Sequence, residues 1–168
     1  MNNTKVLVIN RVKIINLSIF LTLIGIASIV PLFHQQMMTG PIVNATLFAS
    51  TFLLGAQAGI IVGLIPSVIA LSAGLLPPVL APMVPFIMIS NTILILVFDA
   101  LKNKNYWLRV AVSSFLKFVF LYSTSSIVIN LLLKKEVALQ VAMMMSWPQL
   151  ITALSGGVLA YLFLKNHK

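Results

Sequence analysis

Lys117 stands in "SSFLKFVFLYS", residues 113–123, an otherwise apolar run with no acidic residue near it in sequence. An ammonium in such surroundings can donate three hydrogen bonds or attract an anion. On a helix, Ser113, Lys117 and Thr124 fall within about 40° of one another, which makes a polar stripe. Counted from Trp107, Lys117 is roughly 15 Å along the helix at about 1.5 Å per residue, near the midplane of a bilayer. Asn91, on the preceding apolar run, reaches a similar depth. A charge at the midplane costs about 2.5–3.5 kcal/mol even on lenient scales, so it is expected to face the bundle interior and find oxygen partners. Two roles are open to Lys117. It ties helices together through backbone carbonyls and Asn91, or it lies below a cavity and binds a polar or anionic solute.

Catalytic constellations are missing. His34 and His167 fall at opposite faces of the membrane in the topology below, as do the only two acids, Asp99 and Glu136. No pair of them can share acid/base work. The chain has no cysteine, which excludes thiolate metal sites, iron–sulfur clusters, disulfides and cysteine nucleophiles. Neither a metal-ligand spacing nor a phosphate-binding glycine loop is present. The expectation is a protein that is not an enzyme and holds no cofactor or metal. Asp99 is expected to pair with Lys102 or Lys104, or to stay hydrated.

These side chains must be held by membrane helices. Of 168 residues 60% are hydrophobic and 8% charged, with a mean hydropathy of +1.10, far outside the range of soluble domains. Six apolar segments can be drawn, at about 12–33, 41–54, 58–73, 83–101, 107–133 and 147–164, in one membrane domain covering 1–168. They are too long for membrane strands and lack strand alternation, so the fold class is all-α, with six transmembrane helices. The second and third are separated by "GAQ" at 55–57, which allows a tight hairpin or one interrupted element. The first apolar stretch has no cleavage site after it and reads as a retained span.

The net charge of +9 would point to nucleic acid in a soluble protein, but here it reports topology. With six spans, Lys5, Arg11, Lys13, Lys102, Lys104, Arg109, Lys165 and Lys168 share one side, and only Lys134 and Lys135 take the other. The positive-inside rule then places both termini in the cytoplasm of a multi-pass protein in the cell membrane, with lipid and no nucleic acid as its surroundings.

The outer connections are "HQQMMTG" at 34–40, "GLLPPVLAP" at 74–82 and "KKEVALQVAMMMS" at 134–146, all apolar for loops. Pro77, Pro78, Pro82 and Pro85 predict non-helical backbone, either buried as a cavity lining or lying rigidly at the headgroups. Ser146 is a plausible N-cap for the last span, with Pro148 in its first turn, Trp147 at the interface, and the methionines 143–145 outside that helix. Gly55, Gly59 and Gly63 are spaced by four, as are Ala153 with Gly157 and Gly156 with Ala160, which permits close helix contact.

The order of "TGPIVNATLFASTFLLGAQAGIIVGLIPSVIAL", "LLPPVLAPMVPFIMISN", "LKFVFLY" and "MMSWPQLITALSGGVLAYL" resembles the substrate-binding S components of energy-coupling factor (ECF) transporters. The likeness covers most of the chain. It implies a subunit that binds a vitamin or related micronutrient in a pocket opening outward beneath His34 to Gly40, Gly74 to Pro82 and Lys134 to Ser146. A transmembrane coupling subunit and two cytoplasmic ATPases would be its partners. The family's docking alanines on the first helix correspond here to Ser18 and Thr22. The candidate substrate-binding residues are Asn44, Asn91, Lys117, Tyr122, Trp147 and Gln149. Lys117, without a carboxylate partner, favours an anionic or carbonyl-rich solute. The alternatives are a noncatalytic membrane scaffold or assembly subunit, and an autonomous small transporter.

Overall fold

The computed structural model describes residues 2–33, 36–72, 74, 78–132 and 141–165. Among them every regular element is helical: α1 (Asn2–Ile29), α2 (Gln36–Leu54), α3 (Ala56–Ser72), α4 (Val84–Ala100), α5 (Tyr106–Leu132) and α6 (Trp147–Lys165), with 3-10 turns at Val30–Phe33 and Pro78–Met83. Residues 141–145 form a short further helical stretch ahead of α6. Five helices are long and apolar enough to cross a membrane, while the apolar part of α3, Ala56–Ile69, is shorter. The chain is thus an all-α protein of membrane type.

Several boundaries differ from those expected, and the prolines account for most of the differences. α1 begins at Asn2 rather than Val12, and its α-helical geometry stops at Ile29, just before Pro31. α2 starts at Gln36, so residues 36–40 of the expected outer connection belong to the helix, and Pro41 lies inside it. There Pro41 removes a single bond, to the carbonyl of Met37, and a membrane helix tolerates that when neighbours supply compensating donors. The proline-rich stretch is not irregular: it forms a 3-10 turn over Pro78–Met83, and Pro85 occupies the first turn of α4, where no N–H is needed. Residues 75–77 and 133–140, His34 and His167 lie outside the described residues.

α2 and α3 form a tight hairpin, not one interrupted element. Gly55 alone joins them, with φ of +88°, a backbone conformation that costs a side-chain-bearing residue roughly 1 kcal/mol or more. Its N–H closes α2 onto the Thr51 carbonyl at 3.1 Å. Around this hairpin α6 packs along α2, α4 bridges α3 and α5, and α1 lies at the edge against α2 and α3. α1 is the least embedded of the long helices, with Ile14, Leu17 and Leu21 exposed.

The buried apolar residues fall into two clusters. One joins Leu47, Phe48, Val62, Leu94, Phe98, Val110 and Ala153. The other joins Met83, Leu121, Val128, Val141 and Met145. Along α4 and α5 the two are separated by Asn91 and Lys117.

Candidate binding site in the bundle core

Lys117 is buried, only 4% exposed. Its Nζ donates to Asn44 Oδ1 at 2.7 Å and to Asn91 Oδ1 at 2.8 Å. The contact joins α5 to α2 and α4 by two charge-assisted hydrogen bonds, the stronger kind. The orientation of both amides is set from behind. Asn44 Nδ2 donates to the Gly40 carbonyl at 2.9 Å, and Asn91 Nδ2 donates to the Gly63 carbonyl at 3.2 Å. A carbonyl can only accept, so each NH2 must face its glycine and each amide oxygen must face the ammonium.

The glycines matter as backbone, because a side chain would hold the carbonyls and amides apart. A Cβ on Gly156 of α6 would fall 2.5 Å from Asn44 Cβ and 2.9 Å from the Pro41 carbonyl oxygen. A Cβ on Gly63 would meet Asn91 Cβ at 3.4 Å and Ile95 Cδ1 at 3.2 Å. Helices packed this closely gain dispersion contacts that lipid cannot provide.

The rest of the expected polar stripe does not join Lys117. Ser113 Oγ donates to the Arg109 carbonyl at 2.7 Å and Thr124 Oγ1 to the Phe120 carbonyl at 2.8 Å, both on their own helix. Ser114, fully buried one turn inward of Lys117, has a hydroxyl with no partner among the described residues. Asp99 is eight residues beyond Asn91 on α4, about 12 Å by helical rise. Among the described residues no His, Asp and Glu group that could hold a metal is assembled.

Three of the six candidate solute contacts are brought together: Asn44, Asn91 and Lys117. Tyr122 is not, since five residues on a helix turn through about 140°. It is 55% exposed and stacks near Phe118 instead, with ring centroids 5.8 Å apart. Trp147 is also on the outside. Gln149 turns back, its Nε2 donating to the Met144 carbonyl at 3.1 Å. Ser146 is not a side-chain N-cap: its hydroxyl donates to the Met143 carbonyl at 2.9 Å, and only its backbone carbonyl engages α6, accepting from Gln149 N–H.

Ser18 and Thr22 line a groove of about 400 Å³ between α1, α2 and α6, whose other walls include Ala45, Ala49, Ala160 and Phe163. Thr22 Oγ1 donates to the Ser18 carbonyl at 2.8 Å. Its donor is thereby used within the helix, and the groove stays apolar.

Sequence reasoning missed a second polar assembly. Arg109, counted only as a topological charge, is 7% exposed, with its guanidinium carbon 3.9 Å from the centroid of the Phe98 ring. Its Nε donates to the Phe98 carbonyl at 3.0 Å, tying α5 to α4. Tyr106 donates its hydroxyl to the Gly157 carbonyl at 2.8 Å, tying α5 to α6. The signal was the position of Arg109 one turn inside an apolar helix, beyond the reach of the loop charges.

No family model, curated protein or solved structure matches the chain.

Proposed function

We propose that this protein is the substrate-specific binding subunit of an ECF-type ABC transporter, taking up a vitamin or related micronutrient while separate subunits hydrolyse ATP. The observation that carries the reading is the ammonium of Lys117, buried among helices and held by two neutral amides. Neutral amides solvate a charge without neutralising it, so a protonated Lys117 still attracts an anionic or carbonyl oxygen. The sequence likeness to S components, the six helices and the apolar groove beside Ser18 and Thr22 agree with a small binding subunit that docks on a coupling subunit.

The test is reconstitution. The chain is expressed with a coupling subunit and the paired ATPases, copurified, and assayed for ATP-dependent solute uptake in vesicles. Stable association with uptake supports the reading. A chain that neither associates nor retains any small molecule by mass spectrometry would refute it.

One observation favours a second reading, that of a membrane scaffold. Lys117, Asn44, Asn91, Gly40 and Gly63 form a chain of hydrogen bonds spanning four helices, and such a chain can serve packing alone. A scaffold predicts that Lys117 matters for stability and not for binding any solute.

A further inference from the structure

Around Lys117 the polar groups are few and the surroundings are apolar, a combination that constrains what the site can take. The ammonium has three hydrogens, and the two asparagine oxygens accept two of them. One turn outward from Lys117 is Leu121, and one turn outward from Asn91 is Ile87. Leu121 belongs to the cluster of Met83, Leu121, Val128, Val141 and Met145, and Ile87 packs against it together with Phe86 and Phe120.

Three hydroxyls outward of Asn91 and Lys117 on these helices are already directed elsewhere. Ser90 donates to the Ile87 carbonyl, Thr124 to the Phe120 carbonyl and Ser125 to the Tyr122 carbonyl. A solute rich in hydroxyls would find few donors on these walls, and its own polar groups would be desolvated without recompense.

The cluster has two unusual members. Met83 comes from the 3-10 turn ahead of α4, and Met145 from the short helical stretch ahead of α6, so neither is anchored within a long helix. Methionine has three rotatable bonds and a polarizable sulfur, and repacks around different shapes at small cost.

On the reading of this chain as a binding subunit, we infer that its solute is an amphipathic anion: a carboxylate-type head docked on Lys117 between Asn44 and Asn91, on an apolar body that takes the place of the Met83 and Met145 side chains. The head accepts the third ammonium hydrogen and supplies the negative charge that neither asparagine has. The body replaces one set of apolar contacts by another, so the walls need no new hydrogen bonds.

The experiment uses the full-length protein in detergent and three probes: 4-phenylbutyrate, its neutral amide, and acetate. The acid is expected to bind at least tenfold more tightly than either, as measured by equilibrium dialysis. Asn91→Asp installs a carboxylate beside Lys117, so it should weaken phenylbutyrate binding at least tenfold, while the new ion pair and the loss of the donor to the Gly63 carbonyl oppose each other in the melting temperature. Equal binding of acid and amide, equal binding of acetate, no binding of any probe, or an unaffected Asn91→Asp variant overturns the inference. A neutral or polyhydroxylated molecule retained by the wild-type protein also overturns it and leaves the uptake reading standing. Failure to associate with a coupling subunit strikes at the uptake reading alone.

Discussion

Gly156 and Asn44 touch with no room between them: a methyl group on the glycine would lie 2.5 Å from the asparagine Cβ. α6 and α2 therefore meet at backbone distance at the residue that holds Lys117. Gly156→Ala is expected to force the helices apart and cost about 1–3 kcal/mol, the usual range for overpacking. It should lower the melting temperature and weaken solute binding together. Gly25→Ala, where nothing lies within 4 Å, is the control and should be neutral or slightly stabilising, checked by thermal unfolding in the same detergent.

Lys117→Met keeps an apolar stem and removes the charge. Because the acceptors are neutral amides, no opposite charge is stranded, and the relief of burying an ion roughly offsets the loss of two hydrogen bonds. The expected result is a small change in melting temperature with at least a tenfold loss of solute affinity, about 1.4 kcal/mol. Asn91→Leu should also lose affinity but lower the melting temperature, because it leaves the buried ammonium with Asn44 as its remaining side-chain acceptor. Normal affinity with a markedly lower melting temperature would make Lys117 a packing residue.

The hydrophobic runs made the six helices readable, because their lengths and charge gaps have few other solutions. Helical rise alone brought Asn91 to the level of Lys117. The role of Asn44 was not readable in the same way: its contact depends on α2 starting at Gln36 and packing against α6 through Gly156, a tertiary fact. Tyr122 and Trp147 suit a pocket by residue type, yet the helical angle turns Tyr122 out and Trp147 lies on the surface. Prolines misled most, since their effect depends on whether they fall in a first turn, as Pro85 does, or within a helix, as Pro41 and Pro66 do.

Replacing Ser18 and Thr22 together by leucine fills the groove between α1, α2 and α6 without touching Lys117. Copurification with a coupling subunit is expected to fall sharply while solute affinity is kept. An unchanged complex would move the docking surface elsewhere.

Reporter fusions at Asn103 and His167 are both expected to read cytoplasmic, since basic residues flank each site. An external signal from either would overturn the six-span topology.

Tyr106→Phe removes the hydroxyl that α5 donates to the Gly157 carbonyl, an acceptor that α6 still pairs within its own helix. The expected loss is about 1–2 kcal/mol, read by thermal unfolding, with solute affinity unaltered because the contact lies eleven residues along α5 from Lys117.

The one-residue link at Gly55 has a mechanical consequence. α2 and α3 are hinged there with no slack, and hydrogen-bonded turns at Lys102 and Lys104 join α4 to α5 at the same end. Like a pair of tongs riveted at the handles, these hairpins pivot at that end, and α2 and α4 carry Asn44 and Asn91 halfway along the arms. A small angular change at the rivet becomes a displacement of ångströms at the asparagines. A displacement of that size would break both hydrogen bonds to Lys117.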